Sequence, residues 1–369
     1  MTAVAVVVSG WPRLSETFAV NEMTALAERG LLAGVFATKP GDASLVQPDA
    51  ERLAPWVTLL DAGTPEAQGA EVAARLRAAG RPVAAVHGYF AHQPADVAER
   101  AADALDLPFS FSVHALDARK VEPTELRRRC RAAALVTTCN ADTTDTIVRV
   151  GGRPVELPHG VDLARFRPAP PPPDRRPVEL LAVGRLVEKK GFVHLIEAMA
   201  GLDAEARLRI VGDGPLGPEL QARIEQLGLG RTVELIGRRT HDELPALYAG
   251  ADAVVVPCVV DQAGDRDGLP NVVLEAMAAG RPVVASTVAA IPCAVVADGG
   301  DHDTGLLVPP ADPASLRLAL RTLCLDPARR QQLGGNARHR AEVHFDLSRC
   351  SAAWVDLLAG AHHLAGVTP

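Results

Sequence analysis

Short apolar runs alternate with longer segments of mixed polarity along most of the chain. The first series is VAVVV, LLAGVFA, VAAVHGYF, FSFSVH and ALVTTC; the second is ELLAVG, LRIVGDG, TVELIG, AVVVPC and RPVVAS. Runs this short and continuous read as strands buried on both faces, and the periodic segments between them as covering helices. The pattern therefore predicts an α/β chain with two doubly wound, parallel-sheet domains of similar size. Between the two series lies RFRPAPPPPDRR, whose proline run Pro170 to Pro173 neither a helix nor an inner strand accepts. It predicts a stiff, extended linker over 169–177. The expected divisions are a first domain over 1–168, a second over 178–345, and a C-terminal helical segment over 346–369. That last segment is amphipathic, and Trp354 and Leu357 are its expected anchors on the first domain. Doubly wound sheets bind ligands beyond the carboxyl ends of their strands, so a ligand site facing both domains is expected.

Composition narrows the function. The chain has 369 residues, ample for two cores, and a formal net charge of −7 that argues against nucleic acid as a partner. Aromatic residues make up 4%, which leaves little for base stacking. The six cysteines are scattered without a Cys-x-x-Cys pair, so they read as reduced core residues rather than a disulfide framework or a zinc site. The start, MTAVAVVVSGWPR, lacks the basic region of a signal peptide, and no apolar run is long enough to span a bilayer. A cytoplasmic protein is expected. The run Arg127, Arg128, Arg129 and Arg131, offset by Glu122 and Glu125, reads as a solvated helix face, with weak contact to an acidic membrane as the alternative.

Three stretches carry candidate chemistry. In LLAVGRLVEKKG a strand ends at Gly184 and is followed by Arg185 and Lys190, just before a helix. Two cations at the open end of a parallel sheet suit a diphosphate. IVGDGPLGPEL matches the dinucleotide fingerprint through Gly212, Gly214 and Gly217, with Glu234 further on. Pro215, the place in the second βα unit and the mid-strand position of Glu234 argue instead for a tight turn. In DRDGLPNVVLEAMAAGRP, Pro270 suits the first helical position and Gly280 the stop, with Asp267 before the helix and Glu275 inside it. Read alone, the two acids are equally a cap and a buried ion-pair partner. In the first half, Gly10 permits close approach of a ligand and Ser15 is a plausible N-cap for the helix holding Glu22. His114 stands at a strand end, whereas His159, before Gly160 in a turn, reads as structural.

Taken together, GRLVEKKG, VGDGPL, ADAVVVP, DGLPNVVLEAMAAGRPVVAS and GLLVPPAD, in this order, resemble the retaining glycosyltransferases of family 4. PRLSETF and FSFSVHALD are similar to the exopolysaccharide and colanic-acid-type subgroup. The resemblance runs nearly the full length and implies the GT-B fold. The family's paired acids, E-x7-E, fall on Asp267 and Glu275, with Asp in place of the first Glu. The resemblance implies that Asp267 faces the donor sugar and that Glu275 accepts from the nucleotide ribose. It implies that the N–H groups of Gly268, Leu269 and Asn271 hold sugar and phosphate, and that Arg185 and Lys190 neutralise the leaving diphosphate. Gly10, Gly184, Gly237 and Arg238 join the donor-binding set, His114 the catalytic set, and Ser15 and Glu16 an acceptor set. The expected reaction is metal-independent, cofactor-free transfer of a hexosyl or N-acetylhexosaminyl group, with retention, from a UDP-sugar to a glycan or small molecule in polysaccharide or natural-product biosynthesis. A nucleotide-sugar epimerase of the same fold and a catalytically silent nucleotide-sugar-binding partner subunit are the alternatives.

Overall fold

The structure is a computed structural model that describes residues 3–13, 16–41, 48–114, 117–168, 176–202 and 206–362. Two compact units are present, one formed by Met1–Gly160 with Leu347–Pro369, the other by Val161–Asp346. Ser15 and most of the proline-rich linker lie outside the described residues.

The first unit holds a seven-stranded parallel sheet of β1 (Ala3–Trp11), β2 (Leu32–Pro40), β3 (Val57–Leu59), β4 (Val83–Tyr89), β5 (Phe109–Val113), β6 (Leu135–Thr138) and β7 (Val155–Glu156). Their spatial order is β3-β2-β1-β4-β5-β6-β7. Burial follows the pleat: Val4, Val6 and Val8 of β1 join one core, and Ala5 and Val7 the other. A strand apolar on both faces cannot face water on either, which is why the runs read as continuous rather than alternating. The helix Leu347–Ala361 covers the face that carries Val4, Val6 and Val8, with Trp354, Val355, Leu358 and Ala359 in that core and Leu357 at its margin.

The second unit has β8 (Val178–Val183), β9 (Ala206–Val211), β10 (Val233–Gly237), β11 (Ala253–Val256), β12 (Val283–Ser286) and β13 (Gly305–Val308) in the order β10-β9-β8-β11-β12-β13, again all parallel. Leu181, Val211, Val254 and Val256 lie in one core, and Leu180, Ala182, Leu208 and Ile210 in the other. Val161 and Phe166 are buried in this unit, and Val161 bridges to Asp346. In both sheets the strand order reverses once, between β1 and β4 and between β8 and β11. At such a switch point the flanking loops part, which leaves a crevice beyond the strand ends.

Three readings need correction. The arginines of Pro123–Ala132 are not simply a solvated face. Arg129 is buried, donating to the Ala91 carbonyl and to Glu125, and Arg128 grips Glu99 with both terminal nitrogens at 2.6 Å. The cysteines are not uniformly core: Cys293 is exposed and Cys130 and Cys350 are half-buried. Pro270 precedes the helix Asn271–Ala278 rather than opening it, because its ψ of 133° is extended. Among the described residues no helix is long and apolar enough to cross a membrane.

The core position of Trp354, 3% exposed, yields a first prediction. Trp354→Ala should cost roughly 3–5 kcal/mol of stability in the unit that contains it. Urea unfolding followed by circular dichroism checks this, and an unchanged midpoint would show that the helix is not part of the core.

Candidate functional site

At the carboxyl end of β8 the chain turns at Gly184, whose N–H donates to the Val211 carbonyl. Leu186 N–H donates to Asp213, and Gly212 N–H to Gly237, so the loops after β8, β9 and β10 interlock. The crossing is tight enough to need glycine. A Cβ on Gly212, at φ 146°, would stand 1.8 Å from the Gly184 carbonyl oxygen. This is why the GDG stretch belongs to a close crossing rather than to a dinucleotide fingerprint. Gly191, at φ 65°, similarly passes 1.9 Å (Cβ to oxygen) from the Pro257 carbonyl, joining the Lys190 turn to the loop after β11. The loops after β8, β9, β10 and β11 are thereby held against one another.

Lys190 sits there with its stem over Gly184. Its Nζ lies 2.5 Å from Asp267 Oδ2, and Lys189 Nζ lies 3.2 Å from Asp267 Oδ1 and 3.1 Å from Asp265 Oδ2. Cys258 Sγ donates to the same carboxylate at 3.7 Å. The physics is that of a part-buried pair. Burial alone favours the neutral amine, but Asp267 outweighs it and holds the Lys190 ammonium above its usual range. Burial likewise opposes the Asp267 carboxylate, and Lys190 and then Lys189 overcome it and hold the group below the usual carboxylate range. Burial pushes the Cys258 thiol up to about 12, so it stays a thiol. Arg185 is exposed beside this pair, and Arg238 stands 4.0 Å from Asp213 at the end of the β10 loop. Gly268 accepts from Ala290 N–H, Leu269 packs against the core, and Asn271 opens the following helix.

Glu275 belongs to a separate group. Its Oε2 accepts from the Tyr248 hydroxyl at 2.7 Å, and its Oε1 is 3.6 Å from His241 Nε2. His241 Nδ1 in turn lies 2.6 Å from Arg165 Nη1. The two acids of the E-x7-E pattern are therefore not one cluster. Asp267 balances lysines at the loop entrance, and Glu275 is fixed by a tyrosine and a histidine further into the unit. Tyr248, His241, Arg165, Lys189 and Cys258 were missed by sequence reasoning. The signal for Tyr248 was available, since the chain has only two tyrosines and this one follows a strand-end loop in an apolar helix.

In the first unit the expected residues that are described fall at the carboxyl ends of β1 and β5. Gly10 lies in β1, where a Cβ would meet Arg13 Nε at 3.1 Å and the Pro40 carbonyl at 3.2 Å. Glu16 pairs with Arg13 at 3.0 Å, and burial raises its pKa despite that cation. His114 follows β5; its N–H donates to Asp117, and its Nδ1 is 3.1 Å from His159 Nε2. Burial pushes the His114 imidazole well below its usual range. His159, read from sequence as structural, is engaged through both ring nitrogens. Its Nδ1 is 3.1 Å from Glu22, whose other oxygen accepts from Tyr89 at 2.5 Å. Burial opposes the charged ring, but Cys139 and Glu22 outweigh it and raise His159 to about 10. His114, Cys139 and His159 each place a ligand atom within 4.8 Å of the others, the only such group that could hold a metal among the described residues.

Residues 165–340 match the family described as Glycosyl transferases group 1. The chain is 37% identical over 191 residues to the putative colanic acid biosynthesis glycosyltransferase WcaL of Escherichia coli, covering 51% of this chain and 46% of that protein. It is 34% identical over 256 residues to the GDP-mannose-dependent alpha-(1-6)-phosphatidylinositol monomannoside mannosyltransferase of Mycolicibacterium smegmatis, covering 65% and 66%. The match thus spans less than half the length of WcaL. Among solved structures, HepE from Anabaena in complex with UDP superposes with a TM-score of 0.80 at 21% identity, over 98% of this chain and 100% of that one. Sucrose-phosphate synthase from Thermosynechococcus elongatus does so at 0.78 and 23%, over 97% and 98%. The fold is GT-B, with two Rossmann-like parallel-sheet domains.

The lysine–aspartate pair makes a prediction about stability. Asp267→Asn leaves the Lys190 ammonium without its main partner and should cost toward the low end of roughly 3–5 kcal/mol, because both side chains keep some exposure. A depressed carboxyl contributes stability above its unfolded value of 3.8 and loses it as pH falls through the lower folded value. The difference between wild type and Asp267→Asn in urea unfolding should therefore stay level near neutrality and shrink on acidification below about 3.8. A difference that does not vary down to the acid limit would show that the pair is not ionised.

Proposed function

We propose that this chain, whose residues 165–340 belong to the group 1 glycosyl transferases, transfers a sugar from a nucleoside-diphosphate donor to a glycan or small-molecule acceptor. UDP is the nucleotide proposed, in keeping with the UDP complex of HepE; the mannosyltransferase relative uses GDP-mannose, so both belong in the test. The observation that carries the reading is Lys190, held cationic by Asp267 beside Arg185 at the switch point of β8 and β11. A diphosphate leaving group develops negative charge as the glycosidic bond breaks. Fixed cations aimed at it stabilise that charge without reorganising, which is how such sites accelerate reaction. The N–H groups near Gly268, Leu269 and Asn271 are placed at the entrance of a helix, where an anion or a sugar oxygen is favoured.

In this reading Glu275 accepts from the ribose, its orientation set by Tyr248 and His241. Asp267 faces the donor sugar, and the incoming diphosphate competes with it for Lys190. In the second unit Gly184, Gly237 and Arg238 are assigned to the nucleotide; in the first, Gly10 is assigned to the donor, His114 to the sugar and Glu16 to the acceptor. The reaction needs no Mg²⁺, since Arg185 and Lys190 supply the charge that the ion supplies elsewhere. Retention at the anomeric carbon is part of the proposal, as is membership of the exopolysaccharide-type subgroup that the WcaL likeness supports.

The test is nucleotide release from a panel of UDP- and GDP-sugars, with and without acceptors. Release that depends on an acceptor supports the transferase. Interconversion of the donor without an acceptor makes it an epimerase, and UDP binding with no turnover on any pair makes it a silent partner. Arg185→Ala should lower kcat/KM by on the order of 100-fold. Glu275→Gln should weaken free UDP about ten- to a hundredfold, the worth of a hydrogen bond to a charged acceptor; calorimetry reads this directly. Unchanged UDP affinity would remove Glu275 from the ribose.

A further inference from the structure

Three electron-pair donors converge at the carboxyl rim of the first sheet. His114 follows β5, Cys139 follows β6 and His159 lies in the loop after β7, each with a ligand atom within 4.8 Å of the others. His114 Nδ1 and His159 Nε2 are 3.1 Å apart. Two imidazole nitrogens on one tetrahedral zinc ion, each bound at 2.0–2.1 Å, stand roughly 3.3 Å apart. The rings therefore need to part by only a few tenths of an ångström to admit an ion between them.

The surroundings match those of a metal centre in three further respects. His159 presents its other nitrogen to the Glu22 carboxylate at 3.1 Å, and that carboxylate is fixed by Tyr89. Metal-bound histidines are characteristically oriented by a carboxylate in this way. Cys139 Sγ accepts from Asn140 Nδ2 at 3.1 Å, which orients the sulfur. Phe18 stacks on His159 at 4.3 Å and Tyr89 on His114 at 4.6 Å, so aromatic faces shield the cluster from water. A plain histidine–histidine hydrogen bond explains only part of this. It does not account for the cysteine, whose sulfur stands within 4.8 Å of both ring nitrogens.

We propose that His114, Cys139 and His159 form a site for a borderline divalent transition metal of the zinc type, with the fourth position open. Nitrogen and sulfur ligands select such an ion over Mg²⁺ or Ca²⁺. The ion binds the deprotonated forms of Cys139 and His159, so any proton these groups carry passes to solvent on loading and the ion takes the electron pair it held. Metal on Nδ1 of His114 fixes the ring with its proton on Nε2, the atom without a partner, and turns it into a directed donor. The site stands on the first unit alone and does not depend on the glycosyltransferase reading.

The test uses the full chain, stripped with a chelator and titrated with Co²⁺ as a spectroscopic stand-in. One equivalent should bind with thiolate-to-cobalt charge-transfer absorption and the intense visible bands of tetrahedral geometry, and Zn²⁺ should displace it. Cys139→Ser should abolish the charge-transfer band, Cys130→Ser should retain it, and Glu22→Gln should weaken the metal about 10- to 100-fold. X-ray absorption of the zinc-loaded wild type should give two nitrogens and one sulfur, a readout that holds even if Cys139→Ser does not fold. Absence of the charge-transfer band in the wild type, its persistence in Cys139→Ser, or a zinc shell without sulfur would each overturn the proposal.

Discussion

The second unit is arranged around one electrostatic requirement, an ammonium taken most of the way out of water. Lys190 stays charged there because Asp267 lies 2.5 Å away and Lys189 shares the same carboxylate. The neighbouring features follow from that demand. Gly191 lets the lysine turn press against the loop after β11, which brings Asp267 within reach, and Gly184 leaves room for the lysine stem. Cys258 remains an uncharged thiol beside the pair and adds no competing anion. The aspartate thus keeps the Lys190 ammonium formed and fixed in position beyond the end of β8.

Most of the scaffold was legible because parallel strands covered on both faces leave a plain signature: unbroken apolar runs such as AVVVPC and LRIVGDG. The strands that went unread are β3, β7 and β13. β3 and β7 have three and two residues, and all three lie at sheet edges, where a strand needs few apolar side chains. The positions of Arg185, Lys190 and His114 beyond strand ends were legible because the apolar runs that precede them mark where the strands stop. Arg129 was misread because sequence shows charge but not the backbone carbonyl of Ala91 that waits for it. The partners of two buried glutamates were hidden for a related reason. Glu275 meets Tyr248 across 27 positions and Glu22 meets Tyr89 across 67, separations at which no local pattern operates.

Those two contacts share a design. Each of the chain's two tyrosines is fully buried and donates its hydroxyl to one oxygen of a glutamate, while a histidine faces the other oxygen: His159 for Glu22 and His241 for Glu275. A buried carboxylate must have its oxygens satisfied, and a phenol on one oxygen with an imidazole on the other does so. The units reach this arrangement with different spacings and different secondary-structure elements. It therefore reflects a shared physical problem, that of holding an acid rigidly near a strand end.

The crossing of Gly212 over the Gly184 carbonyl carries an evolutionary consequence. No side chain larger than hydrogen fits at residue 212, because its first carbon would fall 1.8 Å from an oxygen that is itself part of the backbone. Selection therefore cannot reshape the cradle beyond β8 by point changes at its closest contact. Variation in what the second unit accepts has to be written elsewhere, in residues such as Arg238 and Leu269, whose side chains retain some exposure. A frozen crossing with adjustable borders lets one architecture diversify its ligands while the geometry of its central cation stays the same.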